Sequence, residues 1–367
     1  MEYEILKYRP ELKKDILDLQ TYLWSPDLAL NAAYFEWKYD QNPYIDQPLI
    51  HVAVYKGQVV GMRGLMGAAW QRDGATQVEV CPCAADVVIH PQHRNRGLFE
   101  TLTRAALQEA AHRGYPFAFN LSGARVTVMS LLAMGWRSVG KLHTMYWCSP
   151  VKKVLKSIQT RARKLLKREP AIERNVFHVL DLHGKGGSPI TGARVSVQQT
   201  ACPDEMFGLV NRIQRRQGLR HTTDPQYLAW RFRNPLANYR FLFWTGDQLE
   251  GYIALQSSVT RARPWIGVVD WAVANMQVWA DLLKAAMRWG RFSELRIWSS
   301  TLSEEERAVL LEVGFRDLHE GSMGGSLQTI LVTSTTAESQ SKDWGLNNES
   351  LLELPNWNVR MIDSDNF

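Results

Sequence analysis

The 367-residue chain reads as an α/β (α+β) protein containing two copies of one fold. Three observations predict this. The length exceeds one ordinary domain and suits two, each able to bury a core. Strand patterns alternate with amphipathic helical patterns between His51 and Trp136. An aromatic segment with its flanks occurs twice: Tyr34-Phe35-Glu36-Trp37-Lys38-Tyr39 before Asn42-Pro43, and Tyr227-Leu228-Ala229-Trp230-Arg231-Phe232 before Asn234-Pro235.

In the first copy, His51 to Tyr55, a Lys56-Gly57 turn and Gln58 to Met66 form a hairpin pattern. Ala84 to Ile89 is a small, β-branched strand stopped by Pro91. Arg94, Asn95, Arg96 and Gly97 then precede a helix from Leu98 to His112, closed by Gly114. A strand from Pro116 to Leu121, a helix from about Arg125 to Met134, and Gly135-Trp136 leading into a last strand complete the copy.

The second copy repeats the order with Tyr239 to Trp244, a Gly246-Asp247 turn, a strand near Gly251, a strand from Gly267 to Trp271 and a helix from Val278 to Trp289. Glu312-Val313-Gly314-Phe315 echoes Ala133-Met134-Gly135-Trp136. Between its strand and helix stand only Ala272 to Gln277, without glycine or arginine, so this copy is expected to be a scaffold shaping an acceptor cleft. Expected boundaries are 1–148 for the first domain, 149–190 for a basic linker, 191–330 for the second domain and 331–367 for a tail that docks through Leu351 to Ile362.

The linker segment from Val151 to Pro170 carries an apolar stripe between Lys and Arg faces. It suits a solvated linker helix, an anionic membrane surface or an acidic partner. His183 to Ser188 reads as a loop. Composition, at 45% apolar and 22% charged residues, excludes disorder over most of the chain. The formal charge of +6 is largely local and does not point to specific nucleic-acid binding. With no apolar stretch near the start and no run of about 18 apolar residues, a cytoplasmic protein is expected. Cys81, Cys83, Cys148 and Cys202 lack metal-ligand spacing, which predicts reduced thiols and no metal.

A helix start with free N–H groups and two arginines attracts an anion. Arg94, Gly97 and Phe99, following Ile89-His90-Pro91, resemble motif A of the GNAT acyltransferases, in which Arg/Gln-x-x-Gly-x-Gly/Ala follows a strand ending in Val-x-Pro. Phe99 departs from the small residue usual there, which a side chain pointing away from the cofactor accommodates. The resemblance covers roughly residues 1–148. It implies two tandem GNAT-like domains, each a mixed, mostly antiparallel sheet flanked by helices, with one intact acetyl-CoA motif.

It further implies an N-acetyltransferase moving acetyl from acetyl-CoA to a primary amine, with an amino sugar or envelope or polysaccharide precursor as first guess. Backbone groups of Val87, Val88 and Ile89 would pair with the pantetheine arm. Gln92, Arg94, Asn95, Arg96, Gly97, Leu98 and Phe99 would cradle the pyrophosphate, and Asn120 would stand where the sheet opens. Asp86 and Glu79 are candidate bases, Asp86 being in an apolar run that raises its pKa or else serving structure. Leu131 occupies the position of the tyrosine that protonates the leaving thiolate in many relatives, so the acid would be another group such as Ser122, Tyr146 or water, or the reaction needs none. His90 and His93 flank the turn, and Cys81 and Cys83 read as small buried residues. Tyr34, Trp37, Tyr39, Trp230 and Tyr239 form either an aromatic platform or core. Two other functions fit the pattern: an aminoacyl-tRNA-dependent tandem transferase, and a non-catalytic acyl-CoA-binding protein.

Overall fold

The computed structural model describes residues 2–72, 78–149, 194–213, 218–261, 263, 265–289, 293–319, 328–336, 344–346 and 349–364. The expected linker helix and the 183–188 loop lie outside them. The first half runs β1 (Glu4–Lys7), α1 (Lys13–Gln20), α2 (Leu28–Phe35), a π-helical turn (Glu36–Asp40), β2 (Leu49–Tyr55), β3 (Gln58–Met66), β4 (Ala69–Arg72), β5 (Val78–Val80), β6 (Cys83–Ile89), α3 (Leu98–His112), β7 (Phe117–Ser122), α4 (Arg125–Ala133), β8 (Arg137–Leu142) and β9 (Thr144–Cys148). The second runs β10 (Val195–Gln198), α5 (Pro203–Arg212), β11 (Leu219–His221), α6 (Pro225–Arg231), β12 (Ala237–Thr245), β13 (Leu249–Ser258), β14 (Ile266–Val273), α7 (Met276–Trp289), β15 (Glu294–Trp298), α8 (Glu304–Glu312), β16 (Arg316–Asp317) and β17 (Gln328–Ser334).

Local chemistry accounts for the elements around the site. Lys56 (φ +50°) and Gly57 (φ +78°) supply the two left-handed residues that match a two-residue hairpin turn to strand twist. Leu98, Leu102, Ala106 and Ala110, spaced four apart, form the buried stripe of α3. Gly61 on β3 and Gly251 on β13 play one role in the two halves: a Cβ would stand 3.1 Å from Leu102 and 2.4 Å from Val278, so each lets a helix lie close on its sheet.

Two seven-stranded sheets result, in the orders β1-β2-β3-β6-β7-β17-β8 and β10-β12-β13-β14-β15-β9-β16. Each half therefore gives one strand to the other. β9 lies between β15 and β16, with Leu295 opposite Trp147 and Arg316 opposite Tyr146. β17 lies between β7 and β8, with Ile330 opposite both Leu121 and Gly140. Sheet membership thus crosses the boundaries expected at 148 and 330. A hairpin needs a turn of about two residues or more, and only His143 separates β8 from β9. The chain runs on into the neighbouring sheet, tied by His143 N to Ser300 Oγ at 2.6 Å and Ser299 N to His143 O at 2.8 Å.

The repeated tryptophans meet between the halves. Trp37 and Trp230 stack with centroids 5.1 Å apart and planes 10° from parallel. Each indole N–H donates to the other residue's carbonyl, at 2.8 and 2.7 Å. Tyr34, Trp37, Tyr39, Trp230 and Tyr239 are all buried, so they are core and not an exposed aromatic platform. One core cluster joins Trp70 and Phe119 of the first half to Trp298 and Trp357 of the second.

Candidate active site

The site is built where β6 parts from β7. These strands pair in parallel at Cys83 and Phe119, and the Asn120 side chain then bridges to Ala84 O at 2.6 Å. Asn120 therefore stands at the point where the sheet opens. The inner edge of β6 remains paired to β3 through Gly61–Ile89, Met62–Val88 and Arg63–Val87, so its other edge faces the opening. Between Val87 and Ala84, β6 carries one residue more than β3. That bulge redirects side chains along the strand.

After β6 the chain makes a short turn at Pro91–His93. Asn95 (φ +59°) and Gly97 (φ +75°) then take left-handed conformations before α3. A Cβ on Gly97 would meet nothing within 4 Å, so the space over the turn is open. No side chain caps α3, so the N–H groups of its first turn are available to an anion beside Arg94 and Arg96. Arg94 Nε donates to Ile89 O at 3.2 Å, which ties its guanidinium to the end of the strand. Phe99 packs into the core beside Leu65 and Ala106, with its ring 5.8 Å from Arg63. Its side chain leaves the turn, which accommodates the departure from a small residue. A pyrophosphate fits this open, uncapped and cationic turn.

His90 and His93 stand beside the turn. Tyr22 Oη lies 3.3 Å from His90 Nε2, and Tyr3 Oη lies 3.0 Å from His93 Nδ1. Local desolvation and the Arg96 and His90 charges lower the His93 pKa.

The bulge turns Asp86 toward α1 and α2. It is fully buried, 2.6 Å from Lys38 Nζ, and accepts from Tyr39 Oη at 3.0 Å and Gln20 Nε2 at 3.3 Å. Lys38 also donates to Tyr34 Oη at 3.1 Å. A carboxylate committed to a buried ammonium serves structure, not proton abstraction in the opening. Lys38, its partner, lies 48 residues away in the chain and was not singled out from the sequence.

The remaining candidates scatter. Glu79 lies in the β4–β5 hairpin opposite Trp70. Ser122 ends β7 opposite Thr329, and its side chain lies outside the described residues. Tyr146 sits in the second sheet between Arg296 and Arg316. Leu131 is core. Cys81 and Cys83 are buried, and burial followed by the Glu79 charge pushes the Cys81 thiol up to about 12, which makes it a poor nucleophile. Among the described residues no three His, Cys, Asp or Glu side chains gather to hold a metal, and no helix is long and apolar enough to cross a membrane.

The fold holds two seven-stranded sheets, and one of them leads into an open, uncapped turn flanked by arginines. Residues 5–136 match the family model of the acetyltransferase (GNAT) domain. Solved structures share the fold. A GCN5-related N-acetyltransferase from Anabaena variabilis has 12% identity over 91% of this chain and 73% of its own, with TM-score 0.56. A probable N-acyltransferase from Enterococcus faecalis has 8% identity over the same shares, with TM-score 0.58. A tandem GNAT protein from the clavulanic acid biosynthesis pathway has 15% identity over 91% of this chain and 99% of its own, with TM-score 0.50. No curated protein sequence matches the chain.

Proposed function

We propose that the first half transfers acetyl from acetyl-CoA to a primary amine, while the second half forms the acceptor side of the cleft without binding a donor. The uncapped start of α3 carries this reading, because its left-handed Gly97 and its arginines meet an open strand edge. Arg94, Asn95, Arg96 and the N–H groups of Gly97, Leu98 and Phe99 would hold the pyrophosphate. The free edge of Val87, Val88 and Ile89 would align the pantetheine arm, and Gln92 would close the turn.

Bound acetyl-CoA would supply the thioester carbonyl that the amine attacks. The chain's own contribution is position: Asn120 fixes the width of the opening, and Asp86 with Lys38 fixes the bulge on β6. Asp86 is then a positioning residue. Without a free carboxylate there, the amine would arrive as its neutral form and lose its proton to water.

Calorimetry with acetyl-CoA tests the reading, using the wild type and the paired change Arg94→Ala with Gly97→Glu. Binding by the wild type and loss in the variant support it. A folded wild type that does not bind acetyl-CoA overturns it. Amine-dependent release of CoA then separates an enzyme from a protein that only binds the cofactor.

A further inference from the structure

The repeat that relates the two halves leaves one ammonium without a counterpart. In the first half Lys38 Nζ donates to Tyr34 Oη at 3.1 Å and lies 2.6 Å from Asp86. Tyr227 and Arg231 hold the same places in the second aromatic segment, and Asp270 sits at the bulge on the equivalent strand. Arg231 turns to the C-terminal tail instead, donating to Ile362 O at 2.7 Å and Ser364 O at 2.6 Å. Asp270 also takes its cation from the tail, with Arg360 at 2.6 Å. Tyr227 is 2% exposed, and its hydroxyl has no hydrogen-bond partner. Folding has then removed that hydroxyl from water without replacing the bonds it made there.

Tyr227 lines a cavity of about 20 Å³ together with His221, Asp270, Arg360 and Asp363, which is room for one group of the size of water or an ammonium. The lining passes from buried His221, Tyr227 and Asp363 to half-buried Asn358 and Arg360, which gives the cavity a solvent side. The capacity left inside it is that of acceptors. His221 stacks on Tyr227 with centroids 4.3 Å apart, and its Nδ1 lies 3.0 Å from Thr222 O. A carbonyl only accepts, so Nδ1 carries the proton and Nε2 is an acceptor. Burial pushes the His221 pKa down to about 4, which keeps the ring neutral. Asp363 accepts from Arg360 N at 2.7 Å. Burial and then the Asp270 charge push the Asp363 pKa up to about 7 against that bond, so the carboxylate is short of a cation.

The arginines of the lining are engaged elsewhere: Arg360 pairs with Asp270, and Arg220 Nη1 donates to Thr223 Oγ1 at 2.9 Å. Their two charges are balanced by Asp270 and Asp363, and Arg231 does not line the cavity. A hydroxyl would bring one hydrogen to three acceptors. An ammonium brings three, with the positive charge that Asp363 lacks. We propose that this cavity binds a primary ammonium group, held by Tyr227 Oη, His221 Nε2 and the Asp363 carboxylate as the first half holds its own Lys38. The site goes beyond the acetyltransferase reading and does not depend on it.

The test is calorimetric titration and thermal melting of the full chain with methylammonium chloride. Tetramethylammonium chloride at equal concentration is the control, a cation of the same charge without N–H donors. Methylammonium is expected to bind and to raise the melting temperature, and tetramethylammonium to do neither. Tyr227→Phe removes only a hydroxyl without a partner, so it is expected to fold and to bind methylammonium about tenfold more weakly. If Tyr227→Phe does not fold, Asp363→Asn, which keeps an acceptor for Arg360 N and removes the charge, is expected to weaken binding in the same direction. Methylammonium that acts no differently from tetramethylammonium, or binding that neither variant changes, overturns the proposal. Amine-dependent release of CoA then identifies the source of the group: a raised acceptor KM with unchanged kcat in Tyr227→Phe assigns it to the acceptor, and unchanged kinetics assign it to a separate amine. Failure of acetyl-CoA to bind the wild type leaves the methylammonium titration unaffected, so the two readings fail separately.

Discussion

The two halves use the same strand-to-helix junction in opposite ways. In the first, β6 leads through a turn with two left-handed residues to a helix that no side chain caps. In the second, β14 leads almost directly to α7, and Asn275 Oδ1 accepts from Val278 N at 3.0 Å. The first leaves its helix dipole and N–H groups open to an anion, and the second satisfies one of them internally. Both halves bury an aspartate at a bulge on the equivalent strand. Asp86 pairs with Lys38 at 2.6 Å, and Asp270 pairs with Arg360 at 2.6 Å and accepts from Tyr252 Oη at 2.8 Å. The partner comes from the repeated aromatic segment in one case and from the C-terminal tail in the other. A fold can therefore keep a structural device while its source changes, and a duplicated domain can lose its ligand turn while keeping its scaffold.

Asp86→Ala sharpens the comparison most. It leaves the Lys38 ammonium buried without this countercharge, so we expect a loss of about 3–5 kcal/mol in chemical denaturation. Asp270→Ala should cost less, because Arg360 is 15% exposed and also donates to Trp271 O. Equal losses would break the distinction. Next, Arg94→Ala should weaken acetyl-CoA binding by a factor of about 10–100, corresponding to one charge-assisted contact worth about 1.5–3 kcal/mol. Calorimetry reads this effect, and an unchanged affinity would remove Arg94 from the cradle.

Trp37→Phe removes one of the two reciprocal indole bonds and leaves the Trp230 carbonyl without that donor. We expect about 2 kcal/mol, and the double change with Trp230→Phe should cost less than the two singles together if the pair acts as a unit. Additive losses would contradict that coupling. Smallest is Asn275→Ala, at about 1 kcal/mol of stability for a lost helix cap, with acetyl-CoA binding unaffected. A change in cofactor affinity there would show that the second half takes part in donor binding.

The site was partly legible in the chain. Arg94, Asn95 and Gly97 announce themselves because a turn that holds an anion needs left-handed backbone and charge close together in sequence. The twin aromatic segments likewise revealed the repeat. Their surroundings needed the structure: Tyr34, Trp37 and Trp230 suited a core more than a platform, and their burial and the stacking of Trp37 on Trp230 place them in the core. Asp86 looked like a base because burial raises a lone carboxylate, while Lys38, 48 residues away, supplies the charge that keeps it paired.

By itself the sequence determined the hairpin at Lys56-Gly57, the stripe of α3, the glycine turn that opens it and the absence of that turn from the second half. All of these depend on residues within one or two helical turns of each other, where backbone preference and periodicity act. The tertiary structure alone decided that β9 and β17 change places, that Asp86 belongs to an ion pair and that Asn120 bridges the parting strands. Each of these joins segments far apart in the chain, and such pairings are selected by the packing of whole sheets and the need to satisfy buried charge, which no local pattern encodes.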